Sequence, residues 1–234
     1  MKDLKNPFIF FVFPFFLSPF ISKSQNCSDA YYVSKVGTKL TYEQKDDKGK
    51  LQSTQETTVK SLKNTANGLD ITLTSTAKDG KGKVIMENMD FTVECANGLI
   101  KLRMSNMMMA GMSRMKDMEA EVIGDGVWYP ADLKEGQELP NGESEIKIKS
   151  GGMTLMTFRN KEIYRKVEKK ETITTPSGAF ECYKIVSESE MKMMFKRTYK
   201  SAMWFAKGVG MVKMESYNKK GEVESSMLLT KLEK

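Results

Sequence analysis

The chemistry open to this chain is bounded by its soft side chains and by one that is missing. Nineteen methionines and three cysteines occur among 234 residues, and there is no histidine. Without imidazole there is no Ser-His-Asp or Cys-His relay, no histidine zinc ligand, and no side chain whose ordinary pKa lies near neutrality. Carboxylates are plentiful, yet no pair stands out as general acid and base. Gly80-Lys81-Gly82-Lys83 and Gly208-Val209-Gly210 lack the spacing of phosphate-binding loops and fit turns or bulges. The sequence reads as a non-enzyme, with no cofactor and no metal site assigned.

Methionine carries the remaining chemistry. Beyond residue 24 there are eighteen methionines but only five phenylalanines. Met104, Met108, Met112 and Met115, continued by Met118, recur three or four residues apart, which predicts one apolar face of a short helix. Gly111 weakens that helix by about 1 kcal/mol relative to alanine, so the segment is expected to act as a soft lid. Methionine packs irregular cores, lines adaptable cavities for lipid-like ligands, and supplies thioethers that select Cu(I). Met112-x-x-Met115-x-x-Met118 and Met191-Lys192-Met193-Met194 are the strings that raise the copper alternative.

Cys27, Cys95 and Cys182 allow one disulfide and leave one thiol, and the sequence does not choose among the three pairings. Cys95 ends the alternation Met89, Phe91, Val93, Cys95, so its sulfur is expected to face inward. No CxxC is present, and a stapled N-terminus is the simplest role for the bond.

The elements that must position these side chains begin after a targeting segment. Lys2 and Lys5 precede an almost wholly apolar run from Pro7 to Ile21, broken by Pro14 and Pro19. Ser22-Lys23-Ser24 then predicts a signal peptide over residues 1–24, cleaved before Gln25. The expected location is the periplasm or the extracellular space. Ser24-Gln25-Asn26 is a poor lipobox for Cys27, so a soluble mature chain with no membrane span is expected. Residues 25–234 carry thirty-four basic against twenty-nine acidic residues, a mild excess with the signs interspersed. No nucleic-acid footprint is visible, and no linker divides this stretch, which reads as a single β-rich domain.

Turns punctuate it. Asp46-Asp47-Lys48-Gly49-Lys50, Asp79-Gly80-Lys81-Gly82-Lys83 and Asn218-Lys219-Lys220-Gly221-Glu222 share a pattern that fits a type I turn closed by a left-handed glycine. Asn67-Gly68 and Asn97-Gly98 are two-residue hairpin signals. Between the turns the period is two, as in Tyr199, Ser201, Met203 and Phe205. About ten to twelve strands result, too many for a flat sheet. The expected fold is mainly β: a curled antiparallel meander forming a barrel or half-barrel with one short helical segment, or alternatively a β-sandwich.

The order of motifs resembles a known family. A cysteine near the start, Tyr31-Tyr32, and Gly37 to Tyr42 open it. Thr174-Thr175-Pro176-Ser177-Gly178-Ala179-Phe180-Glu181-Cys182-Tyr183 continues it, and Trp204 to Lys213 ends it. This resembles the TapB-like proteins, exported β-rich proteins of unknown function in Gram-negative bacteria. The resemblance implies one curled sheet, similar in outline to lipoprotein carriers and lipocalins, export, and no established activity. The functional expectation is binding of a hydrophobic small molecule, a lipid or an apolar partner through a Met-rich concave surface. The alternatives are an envelope structural or interaction protein that takes an envelope protein partner and no small ligand, and Met-based Cu(I) binding.

Overall fold

The computed structural model describes residues 30–103, 118–124 and 126–234. Thirteen strands follow in chain order: β1 (Lys39–Asp46), β2 (Leu51–Thr65), β3 (Gly68–Asp79), β4 (Val84–Ala96), β5 (Leu99–Arg103), β6 (Met118–Ile123), β7 (Trp128–Pro130), β8 (Glu143–Ser150), β9 (Met153–Thr175), β10 (Gly178–Lys192), β11 (Lys196–Ala206), β12 (Gly210–Tyr217) and β13 (Val223–Glu233). All belong to one antiparallel sheet in the order β6-β8-β9-β10-β11-β12-β13-β1-β2-β3-β4-β5-β7. It is a meander, as expected, and a single sheet rather than a sandwich. No described residue is helical. Of the expected helical segment, residues 104–117 lie outside the described ones, and Met118 opens β6. The strand count exceeds twelve because a piece as short as β7 leaves no alternation to read.

The turns form for local reasons. Asp46 Oδ1 accepts the amides of Lys48 (3.0 Å) and Lys50 (2.9 Å), while Gly49 takes φ 76°. Asp79 does the same for Lys81 and Lys83, both at 2.9 Å, and Asn218 for Lys220 and Glu222. Amide donation holds the Asp46 carboxyl below its ordinary pKa. At Asn97 and Gly98 both residues have positive φ, 52° and 74°, the twist that a two-residue hairpin needs.

The sheet curls until its edges approach. β6 and β7 are its two outermost strands, yet only residues 124–127 separate them in the chain, so Ile123 and Trp128 can lie at most about 18 Å apart. At this seam the chain passes so closely that a Cβ on Gly142 would sit 2.1 Å from the Gly126 carbonyl oxygen. Residues 136–142 continue the line of β8 along β9. The Leu139 amide donates to the Arg165 carbonyl (3.0 Å), the Val167 amide to Gln137 (2.8 Å), and the Glu162 amide to Gly142 (2.8 Å).

Register identifies the inner face, because residues paired across antiparallel strands point the same way. Met203 on β11 faces Met214 on β12, which faces Met227 on β13, which faces Gln44 on β1. From Tyr42, two residues on, the same face runs through Gln55, Thr57, Ser75, Leu73, Phe91, Val93, Cys95 and Ile100 to Tyr129 on β7. Tyr129 then touches the start of the circuit. Its hydroxyl lies 3.9 Å from Met203 Sδ and its ring centroid 5.1 Å from that of Phe205. The face closes on itself, so it is the interior. The opposite face carries ion pairs, Lys213–Glu215 along β12 (2.7 Å) and Lys149–Glu121 (2.5 Å) and Lys60–Asp90 (2.6 Å) between strands.

Candidate functional site: a methionine-lined concavity

The interior has two tiers. In the tier near the Asn-Gly turns, Ile71, Leu73, Val93, Cys95, Ile100 and Leu229 are buried in one cluster, which Ala30 and Val33 of the N-terminal segment complete. Each of these side chains is 5% exposed or less, so this tier is a packed core. Toward the other end the same face stays half-exposed. Met89, Met203, Met214, Met227, Ile146, Ile148 and Phe158 are only partly covered, and Met156 and Met191 are exposed. Register puts them together: Met191 faces Asn160, Phe158 faces Ile146, and Met156 faces Ile148.

Polar side chains on this upper tier largely satisfy one another. Ser187 and Ser201 pair through their hydroxyls at 2.9 Å, Thr57 and Ser75 at 3.1 Å, and Gln55 donates to Ser75 Oγ at 2.9 Å. Ser53 donates to Gln44 at 3.1 Å. Paired hydroxyls present little hydrogen-bonding demand to whatever lies against them. The surface left is adaptable thioether and aliphatic area. At its mouth a hollow of about 280 Å³ is lined by Met191, Met193, Met194, Phe195, Arg197 and Tyr199.

Between the tiers sits a charge that sequence reading missed. Arg165 of β9 is 1% exposed, and its Nη1 donates to the carbonyls of Trp128 (2.9 Å) and Pro140 (2.7 Å). Its guanidinium carbon lies 4.5 Å from the Tyr129 ring centroid. These bonds tie β9 to β7 across the seam. Nearby Glu162 is buried, and loss of hydration raises its carboxyl pKa above the ordinary value despite the Arg165 charge. Nothing in Tyr164-Arg165-Lys166 separates this arginine from the solvated charges around it.

Met104, Met108, Met112 and Met115 lie outside the described residues, and Met118 takes the first position of β6, opposite Ser150. β5 ends and β6 begins at the same rim as the methionine-lined mouth. The methionines the register brings together are others: Met89, Met156, Met191, Met203, Met214 and Met227. Counting outward from the β10–β11 turn aligns Met191 with Met203 on one face, but bulges in β11–β12 and β12–β13 shift the pairing that brings in Met214 and Met227. Among the cysteines, Cys182 is a buried free thiol whose pKa burial pushes up to about 11, and Cys95 is buried at the end of β4. Cys27 lies outside the described residues. No group of three or more Cys, Asp or Glu able to hold a metal occurs among the described residues.

Known proteins share this architecture. A crystal structure from Bacteroides fragilis NCTC 9343, assigned as an exported protein with a YmcC-like fold, superposes with a TM-score of 0.67 at 20% identity, covering 88% of this chain and 100% of that one. A protein from Parabacteroides distasonis ATCC 8503, assigned as a lipoprotein, gives a TM-score of 0.69 at 20% identity over 88% and 99% of the two chains. At that identity the likeness is one of fold. No curated protein matches. Residues 35–229, from the segment before β1 to the middle of β13, match the DUF3108-like family model, and the chain belongs to the DUF3108-like family.

Proposed function

We propose that this is an exported, non-enzymatic protein that binds a hydrophobic ligand, such as a lipid acyl chain, in the upper tier of its concavity. The observation that carries this reading is the contrast along one continuous face, packed below and left half-exposed above under methionine. The exported assignment of one structural neighbour supports the compartment, and the signal-peptide pattern of residues 1–24 agrees with it. Three cysteines allow one disulfide, and with Cys182 a free thiol this reading assigns it to Cys27 and Cys95. In this reading Cys27 is paired rather than acylated, so the lipoprotein character of the second neighbour is not part of the proposal. The narrower TapB-like grouping rests on the three sequence motifs. Methionines 104, 108, 112, 115 and 118 join the same binding surface in this reading.

Titration with a fluorescent fatty acid tests it. Replacing Met203, Met214 and Met227 together by glutamine keeps length and removes apolar area. It is expected to weaken binding by at least about tenfold, since tenfold corresponds to roughly 1.4 kcal/mol and each buried methylene contributes about 0.8. The corresponding leucine variant retains binding. Unchanged binding in a folded glutamine variant overturns the reading, and loss with leucine as complete as with glutamine shifts it to thioether coordination of Cu(I).

A further inference from the structure

The strand directions bring several exposed features to one end of the sheet. The β1–β2, β3–β4 and β12–β13 turns, the β8–β9 hairpin and the β10–β11 hairpin all lie at the rim where β9 begins and β10 ends. Two of these are apolar. Met194 is 85% exposed and Phe195 76%, at the tip of the β10–β11 hairpin, and Met153 is 70% exposed with Leu155 beside it on the adjoining β8–β9 hairpin. Large apolar side chains so exposed at loop tips are costly in water and mark a partner. The three remaining turns are basic. They carry Lys48, Lys50, Lys81, Lys83, Lys219 and Lys220 against the four carboxylates of Asp46, Asp47, Asp79 and Glu222, an excess of two positive charges. Lys192, Lys196 and Arg197 flank the apolar tip.

We propose that this rim is a docking surface for an anionic lipid bilayer, with Met194 and Phe195 entering the acyl boundary and the lysine turns resting on the headgroups. Apolar tips alone would suit another protein equally. A ring of lysines around them is complementary to a surface with many mobile negative charges, and each lysine near such a surface strengthens attachment by roughly fivefold. The charged ion-pair ladders elsewhere on the outer face make the rim the part suited to enter lipid. This inference does not depend on a ligand occupying the concavity.

Cosedimentation of the exported chain with vesicles of phosphatidylcholine plus phosphatidylglycerol, against phosphatidylcholine alone, tests it. Binding is expected only to the mixed vesicles, falling with added salt. The Met194→Ser/Phe195→Ser variant abolishes it. The Lys81→Gln/Lys83→Gln/Lys219→Gln/Lys220→Gln variant weakens it by about two to three orders of magnitude. A Phe195→Trp variant gives blue-shifted emission on binding. The glutamine variant of Met203, Met214 and Met227 still binds vesicles, which separates this test from that of the concavity. Equal binding to both vesicle types, wild-type binding by both rim variants, or a dimer broken by the Met194/Phe195 variant without vesicle binding would each overturn the proposal.

Discussion

Replacing Arg165 by methionine isolates what closes the seam. The substitution keeps an unbranched stem of similar length beneath Tyr129 and removes the guanidinium that donates to Trp128 and Pro140 at 2.9 and 2.7 Å. Two carbonyls then lose a charged donor at a site that is 1% exposed, which costs about 1–3 kcal/mol for each group left unpaired. Against this stands the relief of a buried cation whose Nε and Nη2 find no protein acceptor. The bonds outweigh the relief if the arginine is a clip, and the expected net loss is about 2–4 kcal/mol. For a chain of this length that corresponds to a fall in Tm of about 5–15 °C. Denaturant unfolding measures the loss, and amide exchange at residues 136–142 and 162–167 locates it. As a control, Lys200→Met breaks only an exposed pair with Glu188 at 3.9 Å and is expected to change stability by less than about 0.5 kcal/mol. Should Arg165→Met match the control or stabilise the protein, desolvation of the cation dominates and the seam is held by something else.

Thiol counting on the exported chain under denaturing conditions is expected to give one, and a count of three would remove the Cys27–Cys95 bond. In the folded state that single thiol, Cys182, stays inert to alkylation near neutral pH because burial pushes its pKa up to about 11; rapid native modification would contradict the burial. Stability also has an alkaline limit. Cys182 ionises near 9 when unfolded and about 11 when folded, Tyr31 near 10 and about 12, and burial raises Tyr32 and Tyr42 in the same direction. Each folded pKa is raised, so the unfolded chain loses its protons first as pH climbs. Stability is therefore intact below pH 9 and falls from there toward 12, and a urea midpoint that stays level across that window refutes the assignment.

Local features of this fold were legible in the sequence because their causes are local. Asp46, Asp79 and Asn218 hydrogen-bond amides two and four residues on, and Asn97-Gly98 needs only its own backbone freedom. The period of two followed from the pleat. The seam was not legible, since Arg165 is buried by Trp128, 37 residues away, and Pro140, 25 away, neither of which leaves a trace beside it. The inner methionines lie between these cases. Met203, Met214 and Met227 sit on three successive strands, and their alignment depends on turn lengths and on bulges at Trp204/Phe205 and Ser216/Tyr217. A one-residue bulge reverses every side chain beyond it, so alternation within a strand does not say which face is which.

The choice of residue along single strands separates the two tiers on physical grounds. On β4 the inner face changes from Val93 and Phe91 to Met89, on β12 from Val212 to Met214, and on β13 from Leu229 to Met227. Strand propensity favours β-branched and aromatic residues at all of these positions, so propensity does not explain the change. A packed tier holds one arrangement, and stiff side chains fill it with little loss of rotamer freedom. Methionine has three rotatable bonds and a polarisable sulfur, and fixing it in a tight core costs more entropy than fixing valine. Placed where the wall is half-exposed, it keeps that freedom and can follow contents of varying shape. The boundary at which valine and leucine give way to methionine therefore marks where the packed core ends, and it is on the methionine side that the proposed ligand would lie.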